Sequence, residues 1–162
     1  MRRPVVLVPY CSDWPALFLQ ARAELAGVFA GLTVAIEHVG STAVPGLAAK
    51  PIVDLLLGAP SLADIEVRID AIAALGYEYI PRYEIELPMR RFFKRVAPRS
   101  CHLHAVAFGS AFWREQLAFR DALRGDPALA GQYRELKYRL AASFHDDAER
   151  YTSARVPLSG ES

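Results

Sequence analysis

The stretch from Ile36 to Gly58, IEHVGSTAVPGLAAKPIVDLLLG, constrains the fold more than any other part of the chain. It reads as a strand, a loop of small residues and a second strand. The first strand delivers Gly40 and Ser41 at its C-terminal end. Pro45-Gly46 is a turn pair, in which proline pre-sets φ and glycine accepts a positive φ. After Lys50-Pro51 comes IVDLLLG, an apolar run interrupted by one acid, Asp54. A charge inside such a run is expensive to bury unless it is paired or holds a cation. Loop amides, Ser41 and Lys50 at one end, with Asp54 nearby, make a cradle suited to an anion and its metal.

Around this segment the pattern alternates between helices and strands. Val5–Val8 reads as a short strand. Ser12 or Asp13 can cap a helix with Pro15 in its first turn, and Phe18, Leu25, Val28 and Phe29 give that helix one apolar face. Ser61 with Asp64 caps a second helix whose stripe is Leu62, Ile65, Ile69 and Ile72, closed by Gly76. Tyr77–Ile80, Arg90–Val96 and Cys101–Phe108 are strand candidates. Phe112–Arg124 is a helix, and Asp126-Pro127 starts another that buries Leu129, Tyr133, Leu136 and Leu140. Asp146 can cap a third holding Tyr151, and 156–162 reads as a frayed tail. Helices before and after a set of strands indicate an α/β or α+β fold with one mixed sheet.

A length of 162 residues suits one domain, spanning 1–162, with 52% hydrophobic and 23% charged residues as in a soluble globular chain. The formal net charge of +1 gives no reason to expect nucleic acid or a membrane as a bulk partner. Cys11 and Cys101 lie far apart and suggest no C-x-x-C site; two reduced thiols in a cytoplasmic protein is the reading. No apolar stretch approaches the roughly 20 residues of a membrane span. MRRPVVLVPY has too short an apolar run for a signal peptide.

Three segments together carry a family resemblance: HVGSTAVPGLAAKPIVDL (His38 to Leu55), HLHAV (His102 to Val106) and FRDALRGDPALAGQYRELKYRLA (Phe119 to Ala141). With Tyr10, Trp14 and Tyr151, they resemble GrpB-like proteins, which are placed by fold in the nucleotidyltransferase superfamily. The resemblance implies a nucleotidyltransferase-like mixed β-sheet backed by helices on one side, with a C-terminal helical segment. It also implies an activity, binding of a nucleoside triphosphate with a divalent metal and transfer of a nucleotidyl group to a small acceptor. In the superfamily, Gly-Ser is followed by Asp-x-Asp/Glu on the next strand, and those two acids hold magnesium. Here the first acid is Asp54 and its partner position is Leu56, which offers no oxygen. One carboxylate with waters and phosphates can still hold Mg²⁺, whereas two-metal chemistry is undercut. The alternative is a domain that binds a nucleotide or another anion without turning it over, or acts on a partner protein. Family members occur fused to dephospho-coenzyme A kinase, which suits an accessory role, and a homo-oligomer is open.

The expected site follows. Asp54 and Lys50 are the catalytic candidates. Gly40, Ser41, Thr42, Lys50, Arg90 and Arg91 are the candidates for binding nucleotide and phosphate. His102 and His104, at positions i and i+2 of a strand, share a face. If that strand neighbours the one carrying Asp54, both imidazoles and His38 can converge on it, a set suiting a transition metal better than magnesium. Asp54, His102, His104 and His38 are therefore the metal candidates. On a strand, Arg90, Phe92 and Lys94 face one way and Arg91, Phe93 and Arg95 the other, so one basic row can clamp a phosphate chain. Arg120 and Lys137 either reach the cleft or pair with Asp121 and Glu135. Arg155 stands four residues after Tyr151, where the family often has lysine.

Overall fold

The structure is a computed structural model that describes residues 6–143. Helix α1 (Trp14–Val28) leads into β1 (Ala35–Val39), a single 3₁₀ turn at Ser41–Ala43, and β2 (Val53–Ala59). Two one-turn helices, α2 (Leu62–Glu66) and α3 (Ile69–Ala73), precede β3 (Glu78–Tyr79), β4 (Arg91–Arg95) and β5 (Cys101–Ala107). Helices α4 (Ala111–Gly125) and α5 (Pro127–Ser143) complete the described chain. The expected strand at Val5–Val8 begins outside the described residues, and its described part, 6–8, holds one bridge, between Val8 and Ala49. The Ser61 helix is divided in two, although Ser61 caps it as expected by accepting the Asp64 N–H. Asp126 likewise accepts the Leu129 N–H at the start of α5. The helix expected at Asp146, with Tyr151 and Arg155, lies outside the described residues.

The five strands form one mixed sheet in the order β1-β2-β5-β4-β3. Strands β2 and β5 run parallel, and the other pairs are antiparallel. The consecutive leucines of β2 explain the layers. Side chains alternate across a strand, so Leu55 and Leu57 face one side and Leu56 the other. All three are fully buried, so both faces of β2 must be covered. Leu55 and Leu57 join Leu103, Phe93, Phe18, Leu25, Ile65 and Ile72 in the main core, beneath α1, α2 and α3. On the opposite face Val39, Leu56 and Val106 pack against Phe112, Trp113 and Leu117 of α4. Helices therefore lie on both sides of the sheet, where the family resemblance implied one. Beyond α4, the second face carries the polar residues of β2, β5 and β4. Among the described residues no helix is long and apolar enough to cross a membrane.

Candidate functional site

The register of three neighbouring strands assembles the site. Asp54 stands opposite His102, Leu56 opposite His104, and Lys94 opposite His102. Residues paired this way rise from one face, so Asp54, His102, His104 and Lys94 share it. His104 Nε2 lies 3.1 Å from Asp54 Oδ1, and His102 Nδ1 lies 3.7 Å from the same oxygen. Arg90, just before β4, places Nη1 3.1 Å from His104 Nδ1. Arginine can only donate, so Nδ1 accepts; the imidazole proton then sits on Nε2 and is donated to Asp54. A neutral His104 thus connects a guanidinium to a carboxylate. The Arg90 guanidinium is centred 4.9 Å from the Phe92 ring and 5.5 Å from that of Phe112, which sandwich it as a cation–π donor. Burial lowers the Arg90 pKa, and Asp54 acts against that shift. His102 is pushed down to about 4, first by burial, with His104, Lys50 and Lys94 adding to it and Asp54 opposing. Asp54 keeps 19% of its side chain exposed, so the group opens to solvent.

The loop after β1 closes on Asp54 from the other side. Gly40 has φ of +75°, and a Cβ added there would stand 2.5 Å from Asp54 Oδ2. Only glycine allows that backbone so near the carboxylate. Ser41 is buried, and its Oγ makes no hydrogen bond among the described residues. Thr42 is buried as well, with Oγ1 2.9 Å from His38 Nε2.

His38 does not converge with the other imidazoles. It pairs with Leu55 and so belongs to the core face, where its ring stacks on Phe18 at 4.9 Å between centroids. The expectation of His38 beside Asp54 fails on register, because a one-residue step along β1 exchanges the faces. Burial pushes its pKa from 6.5 down to about 4. The folded state therefore resists a proton that the unfolded chain accepts; the stability is fully present above pH 6.5 and is lost as pH falls through 4. Lowering the pH from 7 to 5 should cost roughly 2 kcal/mol through His38. Urea denaturation at the two pH values should show this, and His38→Gln should remove that part of the dependence. An unchanged dependence in the variant would refute it.

Arg91 faces the core side of β4 and pairs with Glu66 at 3.5 Å and Glu84 at 3.4 Å, away from Asp54. Lys50 is near enough to His102 to disfavour its charged form. Arg120 and Lys137, expected either to reach the cleft or to pair with Asp121 and Glu135, fasten the loop, and Arg120 does pair with Asp121. Lys137 is fully buried and donates to the Ala48 carbonyl at 2.6 Å. Arg120 pairs with Glu37 at 2.7 Å and with Asp121 at 2.9 Å, and donates to the His38 carbonyl. These contacts tie α4 and α5 to β1 and the loop behind it. His102 and His104 meet Asp54 as expected for neighbouring strands, whereas the link from Arg90 to His104 had no sequence signal, because it depends on how β4 lies against β5.

The donors fit one hard cation. Asp54 offers a partly exposed carboxylate, and the remaining coordination of such an ion comes from water and phosphate oxygens. The partner position fits none, since Leu56 is fully buried under α4. Imidazole coordination fits poorly, because His104 Nε2 carries its proton toward Asp54. Among the described residues, no three His, Cys, Asp or Glu side chains are grouped to hold a metal.

A family model described as GrpB protein matches residues 4–160. The chain is 31% identical over 155 residues to the glutamate-rich protein GrpB of Alkalihalophilus pseudofirmus, covering 93% of this chain and 89% of that one. It is 33% identical over 155 residues to the UPF0157 protein YqkA of Bacillus subtilis, covering 95% of this chain but 45% of the relative, so it spans less than half of that protein. The crystal structure of the conserved protein GrpB from Enterococcus faecalis is similar with a TM-score of 0.84 and 30% identity, over 96% of both chains.

Proposed function

The chain belongs to the GrpB family, and from that premise we propose that the Asp54 face binds a nucleoside triphosphate together with one divalent cation. The observation that carries this reading is the balance of charge. Asp54 is set among Arg90, Lys50 and Lys94, with two imidazoles between them, and Glu86 also acts on Arg90, which still leaves positive charge in excess. One carboxylate is enough to help hold a hard cation, and the surplus of positive charge is what a phosphate chain requires. In this reading Asp54 gives its oxygen to the ion, and Arg90, Lys50 and Lys94 meet phosphate oxygens. Gly40 lets the loop backbone come close. His104, held by Arg90, keeps the carboxylate oriented. The bound ion would supply positive charge against the phosphates.

A second reading is transfer of a nucleotidyl group to a small acceptor at the same place, as in the nucleotidyltransferase superfamily. The Gly40-Ser41 loop beside Asp54 favours it. Leu56, buried where that superfamily has its second acid, favours binding without transfer. Charge developing on phosphorus would then fall to Arg90 and Lys50.

Titration calorimetry with ATP, with and without Mg²⁺, tests the proposal. Binding should require Mg²⁺ and weaken at least tenfold in Asp54→Ala, or about 1.4 kcal/mol or more. Equal affinity in that variant, or no binding by the natural chain, would sink it.

A further inference from the structure

Between α1, the edge strand β1 and α4 lies an open hollow of about 310 Å³. Its lining includes Tyr10, Phe18, Arg22, Glu37, Arg120 and Arg124. We propose that this hollow is a second ligand site, separate from Asp54, taking a small aromatic molecule that carries a phosphate. The reading is independent of the one given for the Asp54 face.

Charge is the first argument. Three guanidiniums and one carboxylate line the hollow, a surplus of two positive charges (3 − 1). Glu37 is engaged by Arg120, which also holds Asp121. Among the described residues neither Arg22 nor Arg124 has a carboxylate partner. Arg22 rests its guanidinium over the Phe18 ring at 5.6 Å, and Arg124 spends only its Nε on the Ala43 carbonyl, at 2.9 Å. A phosphate dianion matches a surplus of two better than a carboxylate does, and the planar guanidinium fork suits its oxygens.

The second argument is crowding of like charge. Arg120 and Arg124 are one turn apart on α4, a spacing at which like charges repel. The pKa of Arg124 is lowered, first by burial and next by Arg120. An anion lodged between them would relieve that repulsion. The third is the apolar part of the lining, where Tyr10 and the exposed Pro15 and Leu19 offer surfaces for an aromatic body. A peptide strand added to the β1 edge is a poorer occupant, because Arg120 already donates to the His38 carbonyl on that edge.

Phenyl phosphate is the probe, titrated calorimetrically into the full chain without added metal. Saturable binding is expected, at least tenfold weaker in Arg22→Glu and in Arg124→Gln, and within twofold of the natural chain in Asp54→Ala. Benzoate and inorganic phosphate should each bind at least fivefold more weakly than phenyl phosphate. Arg22→Glu touches no loop carbonyl, so it separates lost binding from a disturbed Ala43 loop; thermal melts of both variants verify folding. Absence of saturable binding, unchanged affinity in Arg22→Glu, or equal affinity for benzoate would overturn the assignment. Binding lost in Asp54→Ala but kept in Arg22→Glu would move the ligand to the Asp54 face and overturn it too.

Discussion

Replacing Leu56 with aspartate is expected to destabilise the fold by about 3–5 kcal/mol and to leave Mg²⁺-dependent ATP binding no tighter. The substitution restores, on paper, the acid that nucleotidyltransferases carry two residues after the first. The structure opposes it. Leu56 has no solvent exposure and is enclosed by Val39, Val106, Phe112, Trp113 and Leu117. Its neighbours across the strands are Glu37 on β1 and His104 on β5, and His104 already gives its Nε2 proton to Asp54. A carboxylate there would lose its hydration and gain neither a free donor nor an opening. Leu56→Ala provides the control, because it removes the packing without adding charge, at about 2–4 kcal/mol. Urea denaturation of the three proteins separates the two contributions. If Leu56→Asp proves as stable as the natural chain and binds Mg²⁺-ATP more tightly, the position is open to the ligand, and the one-ion reading fails.

Gly40→Ala should be the other damaging change. Two costs coincide at this residue. Its φ of +75° is strained for any side chain, and the new Cβ would meet Asp54 Oδ2 at 2.5 Å. Left-handed strain and overpacking each amount to roughly 1–3 kcal/mol, giving about 2–6 kcal/mol together. Gly46 separates them. Its φ is +81°, yet nothing lies within 4 Å of an added Cβ, so Gly46→Ala carries the backbone strain alone. The difference between the variants measures how tightly the loop presses on the carboxylate. Moving that carboxylate should also weaken Mg²⁺-ATP binding at least tenfold in Gly40→Ala and leave it unaltered in Gly46→Ala. Equal destabilisation by the two alanines would mean that loop and acid are not in contact.

Much of this was legible in the chain, for reasons that differ from element to element. Local chemistry announced the strand–loop–strand unit, the Ser61 cap, the Asp126-Pro127 helix start and the common face of His102 and His104, since each depends on neighbours within a few residues. The Arg90 and Arg91 faces also followed from alternation alone. What the chain could not announce was which faces would meet. His38 turned to Phe18 instead of Asp54, Lys137 became fully buried, and helix α4 crossed to the second side of the sheet.

The sequence by itself determined the family, the order of helices and strands, and the type of residue at each position of the Asp54 strand. Only the tertiary structure decided that β5 would lie beside β2, in a register setting His104 and Arg90 on the partly exposed Asp54 and closing Leu56 under aromatic rings. The division has a physical cause. Strand alternation repeats every two residues and is fixed locally, whereas strand order and register are fixed by burial summed over contacts dozens of residues apart.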